Sequence, residues 1–211
     1  MAISSSSATL VLLAGPSGSG KSRLVALAGC PQVNLDDFYR DEDDPANPRT
    51  TTTVGQNEEP AVDWDDVGSW DADAAVAALV LLCTTGGAEV PEYDIATSRR
   101  TGSRRIELGE ARTFVAEGLF APDVVPACRA AGLEMDALYL DRPRAQTLLF
   151  RFVRDVSEHR KPLPVLLRRG LALFRAEPAI RTWALACGCR PVGMAEALGV
   201  VRGGRAGLRT R

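Results

Sequence analysis

The chain has 211 residues, 45% of them apolar and 25% charged, with a formal net charge of −2. Such a chain can bury a sizeable core in one domain spanning residues 1–211. Its near balance of charge argues against nucleic acid or an anionic membrane as the main partner, and leaves a homo-oligomer open. The cysteines Cys30, Cys83, Cys128, Cys187 and Cys189 show no paired metal-ligand spacing, which fits reduced thiols in a cytoplasmic protein. The first residues have the outline of a signal peptide, but no basic residue precedes their short apolar run, and that run leads into a glycine loop. The longest apolar stretch, Ala74 to Cys83, is too short to span a bilayer.

In chain order, Thr9 to Ala14 reads TLVLLA, as expected of a buried parallel strand. Ser22 to Ala28 reads as a helix stopped near Gly29. Gln32 to Leu35 is a short second strand. Residues 41–61 hold several prolines, a Thr run and Gly55, and predict a long, flexible acidic loop. Asp71 to Cys83 is a helix stopped by Gly86-Gly87. Thr113 to Ala116 is a strand, about Asp123 to Ala131 a helix, and Ala137 to Leu140 a strand. From Pro143 onward the pattern is mostly helical and Arg-rich, and the basic tail 203–211 reads as frayed. Strands alternating with helices predict a three-layer α/β fold with a parallel sheet flanked by helices.

Gly15-Pro16-Ser17-Gly18-Ser19-Gly20-Lys21-Ser22 satisfies GxxxxGK[ST] between the first strand and the first helix. Glycines let successive backbone N–H groups curl around phosphate oxygens, and the helix start adds its positive dipole end. Gly15, Ser17, Gly18, Ser19, Gly20, Lys21 and Ser22, with Arg23 beside them, are therefore the expected triphosphate site. Lys21 would reach the β/γ-phosphates and the Ser22 hydroxyl would ligate Mg²⁺. The motif points to a nucleoside triphosphate such as ATP, without saying what is done with it. A guanine-reading N-K-x-D motif is absent, since Lys21 and Lys161 are the only lysines.

Charge is distributed unevenly. Residues 36 to 73 carry thirteen Asp/Glu against Arg40 and Arg49, whereas 142 to 175 is rich in Arg. Asp36, in Leu35-Asp36-Asp37-Phe38-Tyr39, would lie at the C-terminal end of the second strand, beside the phosphate loop. There it could accept the proton of an attacking hydroxyl and help organise Mg²⁺, with Tyr39 lining the acceptor pocket. The same cluster reads equally as a helix N-cap with an acidic first turn.

GPSGSGKS, LDDFYR, a Pro-x-Tyr-Asp segment, a strand-end Glu-Gly and RxxRD follow one another from about Thr9 to Lys161. In that order they resemble the uridine kinase family, which is grouped with phosphoribulokinase and pantothenate kinase. The resemblance implies a P-loop kinase that transfers the γ-phosphoryl of Mg-ATP to a primary hydroxyl, most simply of a nucleoside. It matches Asp36 to the family's catalytic aspartate and Tyr39 to its tyrosine. It matches Asp63 to an aspartate that holds sugar hydroxyls, and Tyr93, in Pro91-Glu92-Tyr93-Asp94, to a base-contacting tyrosine. Glu117 before Gly118 would face the metal, usually through water. Arg151 and Arg154 would begin an Arg-rich lid, about 151–165, closing over the phosphates, with Arg160 and Lys161 adding to it.

The chain also departs from that pattern. Ser98 stands where the family has a pyrimidine-reading histidine, Ile95 and Val62 replace aromatic residues, and the single histidine is His159. Ser98, Arg99 and Arg100 could bind a different base, or a phosphate or carboxylate on the acceptor. Three readings follow: a nucleoside kinase, a kinase for pantothenate or a sugar phosphate, or a regulatory ATPase module without an acceptor.

Overall fold

A computed structural model describes residues 8–54, 57–157, 175 and 177–203. Its centre is a five-stranded, wholly parallel sheet in the order β2-β7-β1-β8-β9. The strands are β1 (Thr9–Ala14), β2 (Gln32–Asn34), β7 (Thr113–Glu117), β8 (Met135–Leu140) and β9 (Arg190–Val192). From Leu10 onward β1 is apolar, because both of its faces are covered. Leu10, Leu12 and Ala14 enter one cluster, and Val11 and Leu13 the other. This is the period-two alternation of a strand sandwiched between helical layers.

Helix α1 (Lys21–Ala28) packs on the second face with α6 (Met194–Gly203), through Leu24, Val25, Ala197 and Val201. Gly29 ends α1 in the left-handed region, its N–H bonded to Val25 O. Helix α2 (Ala72–Thr85) covers the first face, started by the Asp71 side chain accepting from Ala74 N and closed by Gly86. Helices α3 (Val125–Ala130) and α5 (described over 177–186) share that face. Helix α4 (Arg144–Ser157) lies between β8 and the residues outside the described set. The three-layer α/β architecture expected from the sequence is present. No helix among the described residues is long and apolar enough to cross a membrane.

Three segments differ from the expectation. Residues expected as a loop pair instead as an antiparallel hairpin, β3 (Arg49–Val54) with β4 (Asn57–Val62). Four consecutive threonines favour extended backbone more strongly than the flanking Pro and Gly oppose it. A second hairpin pairs β5 (Gly87–Asp94) with β6 (Arg99–Glu107), burying Ala88, Val90 and Ile106 on one face only. β9 was also unread, because three residues carry no usable periodicity. The tail from residue 204 lies outside the described residues.

Candidate active site

Parallel strands deliver their C-terminal ends to one edge, so register decides which side chains meet there. Leu13 pairs with Glu117, and Glu117 with Asn34. The residues that follow each strand, the phosphate loop after β1, Gly118-Leu119 after β7 and Leu35-Asp36 after β2, therefore emerge side by side.

The loop after β1 is tightly wound. Ser19 N–H bonds to Pro16 O at 3.0 Å, and α1 opens with Leu24 N–H on Gly20 O at 2.9 Å. Gly18 and Gly20 hold φ of 85° and 97°, which L side chains rarely adopt. A Cβ on Gly15 would sit 2.9 Å from Ser19 Oγ, and one on Gly20 2.9 Å from Met194 Cε. The first-turn N–H groups of α1 have no partner within the helix and face the end of the loop. Lys21 spans the loop, its Nζ donating to Gly15 O at 2.8 Å.

Ser22 Oγ donates to Glu117 Oε1 at 3.3 Å, and Gln32 Nε2 to the same oxygen at 3.2 Å. Burial raises the Glu117 carboxyl above its ordinary range, against the pull of Lys21, while the charge of Asp36 raises it further. One carboxylate thus feels both Lys21 and Asp36. A hydroxyl beside a carboxylate at the foot of a phosphate cradle suits Mg²⁺, which takes one or two protein oxygens and completes its shell with phosphates and water. Among the described residues no group of three or more His, Cys, Asp and Glu could hold a metal by itself, so phosphate oxygens are needed to complete such a site.

Asp36 lies in a 3-10 turn over Leu35–Phe38, which the Asn34 side chain caps by accepting from Asp36 N. Its Oδ1 accepts from Leu119 N at 2.8 Å. Asp37 turns the other way, to Asn34 Nδ2 at 2.9 Å and Arg104 at 3.5 Å, and burial raises its carboxyl despite Arg104. Asn34 is the cap of this turn, which leaves the Asp36 carboxylate to bond Leu119 N at the end of β7.

Tyr39 is the hub of an aromatic cluster, its ring centroid 5.7 Å from Trp64, 5.8 Å from Tyr93 and 5.9 Å from Phe120. Both tyrosine hydroxyls are used internally, Tyr39 Oη donating to Trp64 O and Tyr93 Oη to Arg40 O, each at 3.2 Å. Asp63 Oδ1 accepts from Asp65 N at 3.2 Å. Ser98 is left-handed, with φ 52° at the tip of the β5–β6 hairpin. Arg99 pairs with Asp43 at 2.8 Å. Arg100 reaches Tyr39 O at 3.2 Å and Asp71 at 3.4 Å. These arginines thus fasten the hairpin to the acidic segment after Tyr39.

Arg151 and Arg154 lie on α4, and their side chains are outside the described set, as are His159, Arg160, Lys161 and the rest of the expected lid. Two residues near the loop went unread in the sequence. Arg142 Nη2 lies 3.7 Å from the position a Gly20 Cβ would take, and its guanidinium sits 5.6 Å from the Phe150 ring centroid. Met194 crowds the same glycine. Nothing in the sequence pattern marks either; only the β1-β8-β9 adjacency brings them there. At the opposite end of the loop, Pro16, Leu119, Tyr139, Ile180, Trp183 and Ala184 line an apolar cavity of about 80 Å³.

No protein-family model and no curated protein matches the chain. Among solved structures, a candidate fructose transport system kinase from Silicibacter sp. TM1040 superposes with a TM-score of 0.52 at 18% identity, over 85% of this chain and 88% of that one. A possible uridine kinase from Bacillus stearothermophilus aligns at 0.43 and 18% identity, over 83% and 85%. The YGR205w protein aligns at 0.47 and 15%, over 83% and 78%. The first of these likenesses shows a shared α/β fold.

Proposed function

We propose that the chain is a P-loop kinase of the uridine kinase type, which transfers the γ-phosphoryl of ATP to a primary hydroxyl of a small molecule. The observation that carries this reading is the position of Glu117. It lies in register with both Leu13 and Asn34, bonds to Ser22 of the loop, and feels the charges of Lys21 and Asp36 together. A triphosphate held by the loop and an acceptor held at Asp36 therefore share one crevice.

In this reading the backbone of Gly15–Ser22 cradles the phosphates and Lys21 exchanges Gly15 O for a phosphate oxygen. Ser22 and Glu117 would hold Mg²⁺, which supplies charge neutralisation at the transferring group. Asp36, fixed by Leu119 N, orients the acceptor hydroxyl with its other oxygen and takes its proton. The acceptor oxygen forms the new bond to the γ-phosphorus, the bond to the bridging oxygen breaks, and ADP leaves. Such transfer asks mainly for positioning and charge stabilisation, with about 10²–10⁴-fold from the base. Arg151 and Arg154 would close over the phosphates from α4.

In-line transfer puts acceptor and leaving ADP on opposite sides of the phosphorus. With Asp36 on the β2–β7 side, the nucleoside of ATP leaves over Gly20 toward β8 and β9, beside Arg142 and Met194. Nucleosides are the first acceptor class to test, held through Asp63, Tyr39 and Tyr93. Ser98 and Arg99 would take part only after the hairpin ties at Asp43 rearrange.

The test is ADP release with Mg-ATP and a panel of nucleosides, pantothenate and sugars, using wild type and Asp36→Asn. At least one acceptor should raise ADP release above its basal rate, and Asp36→Asn should lower that acceptor-dependent rate by about 10²–10⁴-fold. A panel that leaves wild-type ADP release at its basal rate would leave only a nucleotide-binding module.

A further inference from the structure

β2, at the edge of the sheet, is short and polar on one face. Val33 is fully buried and joins the α2 side of the core, so its neighbours Gln32 and Asn34 point to the opposite face, toward α1. Asn34 caps the turn that carries Asp36. Gln32 aligns with Val115, two residues before Glu117 on the same face of β7, and its Nε2 donates to Glu117 Oε1 at 3.2 Å. Strand propensity does not call for an amide here, since Val, Ile or Thr suits a pleated edge better.

Two donors share one oxygen of Glu117. Ser22 Oγ reaches Oε1 at 3.3 Å from the start of α1, and Gln32 reaches it from the sheet edge. Neither bond uses Oε2, so one oxygen is held and the second is spared for a ligand. The two donors are not equivalent. In the reading above the Ser22 oxygen is itself a Mg²⁺ ligand, and a hydroxyl that turns its lone pairs to a cation loosens its grip on Glu117. Gln32 Nε2 has no such second duty, because an amide nitrogen donates only.

Resting on the kinase reading above, we infer that Gln32 is a positioning residue for the metal site: its amide holds the Glu117 carboxylate in place for Mg²⁺ when Ser22 turns to the ion. Gln32 acts through Glu117, not on the nucleotide or the acceptor. Mg²⁺ demands near-ideal octahedral geometry, and the partners that orient metal-binding side chains are worth about 10–100-fold in metal affinity. Gln32 therefore sets how strongly Mg²⁺ couples to nucleotide, with little influence on nucleotide alone. A merely structural amide would change the melting temperature and leave that coupling as it is.

The experiment measures ADP affinity by calorimetric titration, with EDTA and across a Mg²⁺ series, in wild type, Gln32→Met and Gln32→Leu. Both substitutions keep roughly the size of Gln32 and remove its amide, and thermal melting reports on folding. Wild type should bind ADP more tightly with Mg²⁺. In both variants the Mg²⁺ concentration giving half of that gain should rise by about 10–100-fold, with metal-free ADP affinity within about threefold of wild type. Acceptor-dependent kcat at saturating Mg²⁺ should also return to within about threefold of wild type. An unchanged Mg²⁺ requirement, a metal-free ADP affinity that falls as far as the Mg²⁺-bound one, or loss of folding in both variants overturns the proposal while the kinase reading stands. Wild-type ADP affinity indifferent to Mg²⁺ overturns it too, and the kinase reading falls with it if no acceptor is turned over.

Discussion

The Asp36 carboxylate accepts the Leu119 N–H at 2.8 Å across Gly118, at which a Cβ would lie 2.8 Å from Asp36 Oδ1 and 2.7 Å from Leu35 Cβ. Asp36, the base of the proposed reaction, is thus seated against a position where a side chain would crowd it. Gly118→Ala must push Asp36 off its anchor. Acceptor-dependent turnover is expected to fall by about 10²-fold or more, toward the Asp36→Asn level, while ADP titration shows affinity within about threefold of wild type. Turnover near wild type in Gly118→Ala would show that Asp36 does not depend on this seat.

Glu117 carries a carboxyl raised by burial and by Asp36. Lowering the pH toward its raised value protonates Glu117 before an ordinary glutamate, and a protonated Glu117 is a poorer Mg²⁺ ligand. The Mg²⁺ concentration needed for half-maximal ADP release should therefore rise as pH falls from 7 toward 5. In Glu117→Gln that requirement should be high at every pH, with much less pH dependence.

On the proposed reading, Arg142 would contact the nucleoside rather than the phosphates. Its guanidinium lies near Gly20 and against Phe150, the side that the proposed in-line geometry gives to the nucleoside. Arg142→Ala should weaken ADP by about 10-fold, a loss of about 1.4 kcal/mol, yet leave inorganic tripolyphosphate binding nearly unchanged. Calorimetric titration of both ligands checks this; equal losses would make Arg142 a phosphate contact.

Asp123 tests the electrostatics of the α3 layer. Its Oδ2 is buried and finds no hydrogen-bond partner among the described residues, and burial pushes the carboxyl up to about 6. An acid with a raised folded pKa contributes stability below its unfolded value, near 3.8, which is lost as pH climbs through about 6. Asp123→Asn removes that loss. Thermal melts should show the variant more stable than wild type at pH 7.5, by about 1–2 kcal/mol, with the difference vanishing near pH 4.

The sequence made four of the five sheet strands and the phosphate loop legible, because each depends on local pattern. TLVLLA is apolar on both faces, and GPSGSGKS fixes both turn and helix start. Asp36 was legible as an acid at a strand end, but its anchor was not, since the Leu119 N–H comes from the turn after β7, eighty-three residues away. The β5–β6 hairpin hid behind RRTGSRRIE, which buries one of its nine residues and looks like solvent-exposed chain. The roles of Arg99 and Arg100 stayed open because ion pairs to Asp43 and Asp71 follow from how the hairpin docks. Arg142, Met194 and the Trp183 cavity are products of strand order alone.

The position of β7 between β1 and β2 also governs how the protein is made. The phosphate loop emerges early in synthesis, but Leu13 has no sheet neighbour on that side until Glu117 arrives, nor on the other until Leu138 does. A nascent chain ending near residue 110 holds the whole GxxxxGKS motif with its strand still lacking both sheet neighbours. Closing such distant contacts is slow and leaves sticky intermediates. On the kinase reading, nucleotide affinity would therefore arise late in folding, and shortened chains that keep the motif but stop before β7 should aggregate rather than bind ATP.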